Sequence, residues 1–260
     1  AHNLIGLERG GGTELYVDSL ATWQKIKSPE RTVLAIAPKD GHQLAVMDYE
    51  SGNANLISSL NTGRINEFSS SHKECEKSFC ELISKHHIGI VHFHHLKGLP
   101  LSLPIFARAL GCRVVMTLHD FYMLCHRYTL LQPDDSFCEV NRYSDHRHLC
   151  KICLESSGLQ GDSRNRRLEL TRRIMASAHR ILASTESSAE IARHVFPEQA
   201  DLFKILEMVT PKLQELRNGR TRWPHKHAED GALRVAVIGN AVRHKGLKTL
   251  TQVISASQGF

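Results

Sequence analysis

A doubly wound α/β sheet is the fold class that the sequence predicts, and three observations predict it. Short β-branched apolar runs alternate with amphipathic stretches of helical length from residue 14 to about residue 207. The run Arg113–Leu118 is apolar almost throughout, as a strand buried on both faces of a parallel sheet must be. Hydrophobic residues make up 41% of the 260, enough for a sizeable core, and no apolar run reaches the length needed to cross a bilayer.

The elements follow in order. Residues 14 to 27 repeat Tyr16, Leu20 and Trp23 at helical spacing, and Pro29 stops that helix. Thr32–Ala37 is a β-branched strand closed by Pro38 and Gly41, and Leu44–Met47 is a second short strand. Weak strand signals at Ala54–Ile57 and near Ile65 interrupt a polar stretch. Lys73–His87 predicts a helix, Ile88–Phe93 a strand, Leu103–Leu110 a helix and Arg113–Leu118 the buried strand. A basic helix is predicted over Arg164–Ala178, a strand over Arg180–Ala183, a helix over Ser188–Val195 ended by Pro197, and a last piece over Leu202–Glu207. A basic stretch from Asn218 to Gly231 breaks the pattern, and Leu233–Ile238 restarts it. The predicted organisation is an N-terminal lobe over residues 1–217 with a cysteine-rich insertion at 121–162, a linker at 218–231, and the start of a second lobe at 232–260. The chain is therefore expected to be one lobe, short of its first strand, plus the opening of another.

Several segments fall where open α/β sheets bind ligands, at the carboxyl ends of strands. Gly11 and Gly12 precede the first helix, where backbone N–H groups can approach an anion, although an ordinary turn also suits glycine. Glu14 then lies in the first turn, as a favourable cap charge. His119 and Asp120 follow the Arg113–Leu118 strand. An imidazole there can donate to a hydroxyl or steady a leaving phosphate, and the adjacent carboxylate can orient it or accept from a hydroxyl. His92, His94 and His95 end another strand, and alternation aims His92 and His94 to one face and His95 to the other. Ser184-Thr185-Glu186 ends a third strand, where hydroxyls can cap the next helix or touch substrate, and capping alone explains them. Arg243 and Lys245 lie in the turn after Ile238, where a lysine at a helix start suits a diphosphate. That turn matches neither the phosphate-loop nor the dinucleotide fingerprint.

Seven cysteines are present. Cys75, Cys80 and Cys112 read as small buried hydrophobes. Cys125, Cys138, Cys150 and Cys153 concentrate in the insertion, and only the last two have the short spacing of a zinc knuckle. They are candidates for a structural zinc, with reduced thiols as the alternative. A formal charge of +6 suits polyanionic ligands or an anionic membrane surface, and no recognition helix or finger pattern supports nucleic acid. The arginines of 164–173 form either a solvated face or a lipid-facing one.

Together these segments resemble a glycosyltransferase of the GT-B, group 1 (family 4) class. The resemblance is carried by Gly10-Gly11-Gly12-Thr13-Glu14, by Val115-Met116-Thr117-Leu118-His119-Asp120-Phe121 with Cys125-His126-Arg127-Tyr128, and by Val237-Ile238-Gly239 through Lys245-Gly246-Leu247. It implies two Rossmann-like lobes across a cleft and transfer of a sugar from a nucleotide-sugar donor, with retention, to a glycan or lipid-linked acceptor. It implies His119 near the transferred sugar with Asp120 beside it. Donor phosphates would lie between Gly11–Gly12 and Lys245, and no metal would be required for catalysis. Asn240 stands where the family often has arginine, so that part of the phosphate clamp is either absent or supplied by Arg243. The family's two acidic residues of the second lobe would lie past Phe260, so the 260 residues alone are expected to be inactive or nearly so. A cytoplasmic protein, with peripheral contact at the membrane face, is the implied setting. The rivals are another nucleotide-sugar enzyme of the same build, such as an epimerase, and a non-catalytic zinc-stapled binding lobe.

Overall fold

The structure, a computed structural model, describes residues 11–50, 54–65, 69–139, 147–158, 163–208, 242 and 245–257. The predicted linker at 218–231, the strand Leu233–Ile238, Asn240 and Arg243 lie outside the described residues.

Four strands, β4 (Ile90–Phe93), β5 (Arg113–Leu118), β6 (Arg180–Ala183) and β7 (Phe203–Ile205), form a parallel sheet in the order β4-β5-β6-β7. Each crossover carries helix: α3 (Leu103–Ala109) between β4 and β5, α4 (Arg147–Ser156) and α5 (Ser163–Ser177) between β5 and β6, and α6 (Glu186–Val195) between β6 and β7. Parallel neighbours require such long returns. The result is a mixed α/β fold of broadly Rossmann-like architecture. Its core gathers Val114 and Met116 of β5, Ile181 and Ala183 of β6, Ile174 and Met175 of α5, and Phe196 after α6, all buried.

The first three strands correct the expectation of a wholly parallel sheet. β1 (Leu34–Lys39), β2 (Gln43–Asp48) and β3 (Asn55–Asn61) form a separate antiparallel sheet in the order β1-β2-β3. Only Asp40, Gly41 and His42 separate β1 from β2, too few for a parallel crossover. Asp40 and Gly41 both have positive φ, 54° and 67°, the handedness that suits a tight hairpin. Pro38 lies inside β1 rather than after it. The helix α1 (Gly12–Lys27) packs Val17 and Ala21 against Ala35, Ala37, Met47 and Tyr49 of this sheet. The Tyr49 hydroxyl donates to Asp18 Oδ1 at 3.1 Å, and burial, then the Asp18 charge, raises its pKa.

The helix α2 (Lys73–Lys85) is locked to the start of α3 through Glu76. That buried carboxylate accepts from the His72 N–H at 3.0 Å and from Ser102 Oγ at 2.5 Å. Burial opposes its charge, but the bonds from Ser102, Ser71 and His72 prevail and hold the carboxyl below its usual range. Among the described residues, no helix is long and apolar enough to cross a membrane.

Candidate functional site

The parallel register sets Phe93 opposite Met116, so β4 and β5 release their next residues side by side. Three side-chain pairs span the gap, each joining residues 25 apart in sequence. His92 Nε2 meets Thr117 Oγ1 at 2.7 Å, His94 Nδ1 meets His119 Nε2 at 3.1 Å, and His95 Nε2 meets Asp120 Oδ2 at 3.1 Å. The strand alternation expected for the histidines is what places them. The His92 and His94 rings stack with centroids 3.9 Å apart, while the His95 ring lies against Tyr122 at 4.7 Å.

Hydrogen bonding fixes one tautomer. His95 Nδ1 accepts the Lys97 N–H at 2.9 Å, so its proton is on Nε2 and is donated to Asp120. Asp120 Oδ1 accepts the Tyr122 N–H at 2.8 Å. Both oxygens of Asp120 thus brace the strand ends through His95 and Tyr122. Burial, with the nearby His119 adding to it, pushes His92 down to about 4. Burial above all, then His92 and His119, holds His94 well below the ordinary histidine value. Both rings are neutral at neutral pH, since a desolvated imidazolium surrounded by other imidazoles is disfavoured.

Residues from other elements close the site. Tyr16 of α1, nearly fully buried, sets its ring edge-on to His94 at 5.7 Å and to His119 at 5.6 Å. Tyr16 lies five residues beyond Gly11, about 7.5 Å along a helix axis. Glu14 Oε2 accepts the Gly11 N–H at 2.5 Å, and this carboxylate is buried in the first turn. It already complements the positive end of α1, so a phosphate here would rely on the N–H groups of Gly12 and Thr13, beside a negative charge. A Cβ added at Gly12 would point into open space.

Arg167 of α5 lays its guanidinium over the Tyr122 ring at 4.4 Å and donates to the Tyr122 carbonyl. Gly98 ends the histidine loop with φ +73°, and a Cβ there would meet Pro38 Cγ at 3.2 Å, so the loop seats tightly on β1. Phe93, His94, His95, Met116, His119 and Asp120 help line a cavity of about 20 Å³. That volume admits one water or a single hydroxyl rather than a sugar ring.

Thr185 acts as a cap, its Oγ1 accepting the Ser188 N–H at 3.3 Å. Lys245 is exposed just before α7 (Leu247–Ser257). Cys125, Cys150 and Cys153 lie within electrostatic range of one another, and burial first, then Cys150 and Cys153, raises the Cys125 thiol. Cys138 is tied by its N–H to the Leu130 carbonyl at 2.7 Å. Among the described residues, no group of three or more His, Cys, Asp or Glu side chains is gathered closely enough to hold a metal ion. The helix α4 escaped the sequence reading, although Cys150, Cys153 and Leu154 have helical spacing and the last two are buried. Tyr16, Tyr122 and Arg167 also escaped it. Tyr16 read as an ordinary core position and Arg167 as one of a row of solvated arginines.

Neither protein-family models, nor curated protein sequences, nor solved structures give a match to this chain.

Proposed function

We propose that this chain is the acceptor-side lobe, with the opening of the donor lobe, of a GT-B retaining glycosyltransferase of the group 1 type. It moves a sugar from a nucleotide-diphosphate sugar to a glycan or lipid-linked acceptor. The observation that carries the reading is His119 at the carboxyl edge of β5, held between His94 and Tyr16, with the glycine turn one helix segment away. Ligands of open α/β sheets bind at this edge, and a hydroxyl-sized recess beside an imidazole suits recognition of a sugar alcohol. Gly11, Gly12, Arg243 and Lys245 are assigned to the donor diphosphate. The protein works in the cytoplasm, and the exposed Arg166, Arg172 and Arg173 of α5 offer a peripheral contact to anionic lipid.

Calorimetric titration of Lys245→Ala, in protein carrying the complete second lobe, tests the donor site. Binding of a nucleoside diphosphate should weaken far more than binding of the bare nucleoside, and the loss should shrink as salt rises. Equal losses would make Lys245 structural. The rival reading, a lobe that binds without catalysis, draws on Glu14, whose carboxylate occupies the helix terminus that a phosphate would use. Absence of any nucleoside diphosphate binding by the intact protein would favour it.

The same reading includes a structural zinc on Cys125, Cys138, Cys150 and Cys153; it draws on the electrostatic interaction among Cys125, Cys150 and Cys153, and the thiols would have to draw closer together to hold the ion. Zinc would have to displace protons from the Cys125 and Cys153 thiols, whose pKa values burial raises. About one zinc per chain is expected in protein purified without added metal. A zinc-free protein of unchanged stability would leave four reduced thiols.

A further inference from the structure

We propose that the end of the parallel sheet opposite the candidate site is a docking surface for an anionic lipid bilayer. Three stretches meet there: 84–90 from the close of α2 into β4, 106–113 from α3 into β5, and 176–180 from α5 into β6. Strand register joins them. Ile90 pairs with Arg113, whose N–H donates to the Gly89 carbonyl at 2.9 Å. His179 Nδ1 accepts the Val114 N–H at 2.9 Å, Arg108 Nη1 reaches the same ring, and Arg180 Nη1 donates to the His179 carbonyl at 2.7 Å. The cations of these stretches, Lys85, Arg108, Arg113 and Arg180, are all exposed, and the stretches contain no Asp or Glu. One turn back in α2 and α5, Glu81 and Glu169 face Lys77 and Arg173. Charge alone would suit any polyanion, but the apolar component selects a bilayer. Phe106 is 37% exposed, Leu110 45% and Ile90 59%, in the same stretches as the cations. Phe106 and Leu110 lie one turn apart at the end of α3, the Leu110 N–H donating to the Phe106 carbonyl at 3.0 Å. Apolar side chains that sink to the acyl boundary, beside guanidinium groups that meet lipid phosphates, are the two components of interfacial binding. A second copy of the chain would set like charges face to face. A soluble polyanion would leave Phe106 and Leu110 without a partner.

This surface extends the lipid contact proposed for α5 and rests on that part of the reading, not on sugar transfer. The candidate site, at the other end of the six-residue β5, would face the aqueous phase roughly 20 Å from the headgroups. Sedimentation of the full chain with phosphatidylcholine vesicles, plain or containing phosphatidylglycerol, provides the test. Binding should require the anionic lipid and weaken as salt rises. Arg113→Gln and Arg180→Gln should each weaken it about five-fold, and Phe106→Ser combined with Leu110→Ser roughly ten-fold. Lys151→Gln, which removes one exposed charge from α4, should bind as wild type does. Unchanged affinity in the double serine variant would overturn the proposal, because a contact made by charge alone is one that a soluble polyanion fills equally well. Equal losses in Arg113→Gln and Lys151→Gln would also sink it, since the attraction would then belong to net charge and not to this surface. If the double variant fails to fold, the two arginine variants, both at exposed positions, still decide. Binding lost only in Arg172→Gln with Arg173→Gln would keep the α5 contact and remove this surface. Failure to bind any anionic vesicle would remove both, and would leave the transferase reading untouched.

Discussion

Alanine in place of His119 is expected to slow sugar transfer by roughly 10²-fold or more, with nucleotide affinity nearly unchanged. The imidazole stands at the carboxyl edge of β5, where in the proposed transferase it would meet developing charge on the departing phosphate or the sugar oxygens. A contact that strengthens as the glycosidic bond breaks lowers turnover more than it weakens binding. His119 also touches Tyr16 and His94, so its removal leaves a small gap. Urea unfolding of the variant should show that the fold survives. Steady-state turnover in intact enzyme, compared with donor affinity by titration, gives the answer. Near-normal turnover with an intact fold would remove His119 from the mechanism.

The sequence made the parallel half of the fold legible because burial on both faces leaves an unmistakable mark. Arg113–Leu118 and Arg180–Ala183 are strands over the spans read from their apolar runs. The antiparallel sheet was hidden by the same habit of reading. Its strands fit the same alternation, and the hairpin signal at Asp40-Gly41 overlaps the Pro38 and Gly41 that mark the end of a strand. In the site, strand alternation correctly separated His92 and His94 from His95. It could not show who faces whom across the sheet, because adjacency in the chain carries no information about the neighbouring strand. Register decides such pairings, and register follows from packing of the whole sheet. Arg167 was illegible for a related reason. A guanidinium that stacks on a ring from another element looks, in sequence, like every other arginine on a basic helix.

Acid should destabilise this fold well above the range in which carboxylates titrate, and the cause should be the histidines beneath the site. His92 is pushed from 6.5 down to about 4, and His94 lies well below its ordinary value, in both cases mainly through burial. A histidine with a depressed folded pKa binds fewer protons in the native state than in the unfolded chain. Stability therefore rises with pH across that interval and is lost as pH falls from 6.5 toward the folded value. Full protonation of His92 alone corresponds to roughly 3 kcal/mol. Glu76, held below 4.5 despite burial, weakens the fold in the same direction, but only at lower pH. The interval between 6.5 and 4.5 thus belongs to histidine. His126, also lowered chiefly by burial, adds its own part there. Urea midpoints followed across this interval should fall steadily in wild type. The decline should flatten in His92→Gln, which cannot take up a proton, and the residual slope should come from His94 and His126. Parallel curves for wild type and His92→Gln would mean that the His92 ring is not desolvated as its stacking on His94 and its bond to Thr117 require.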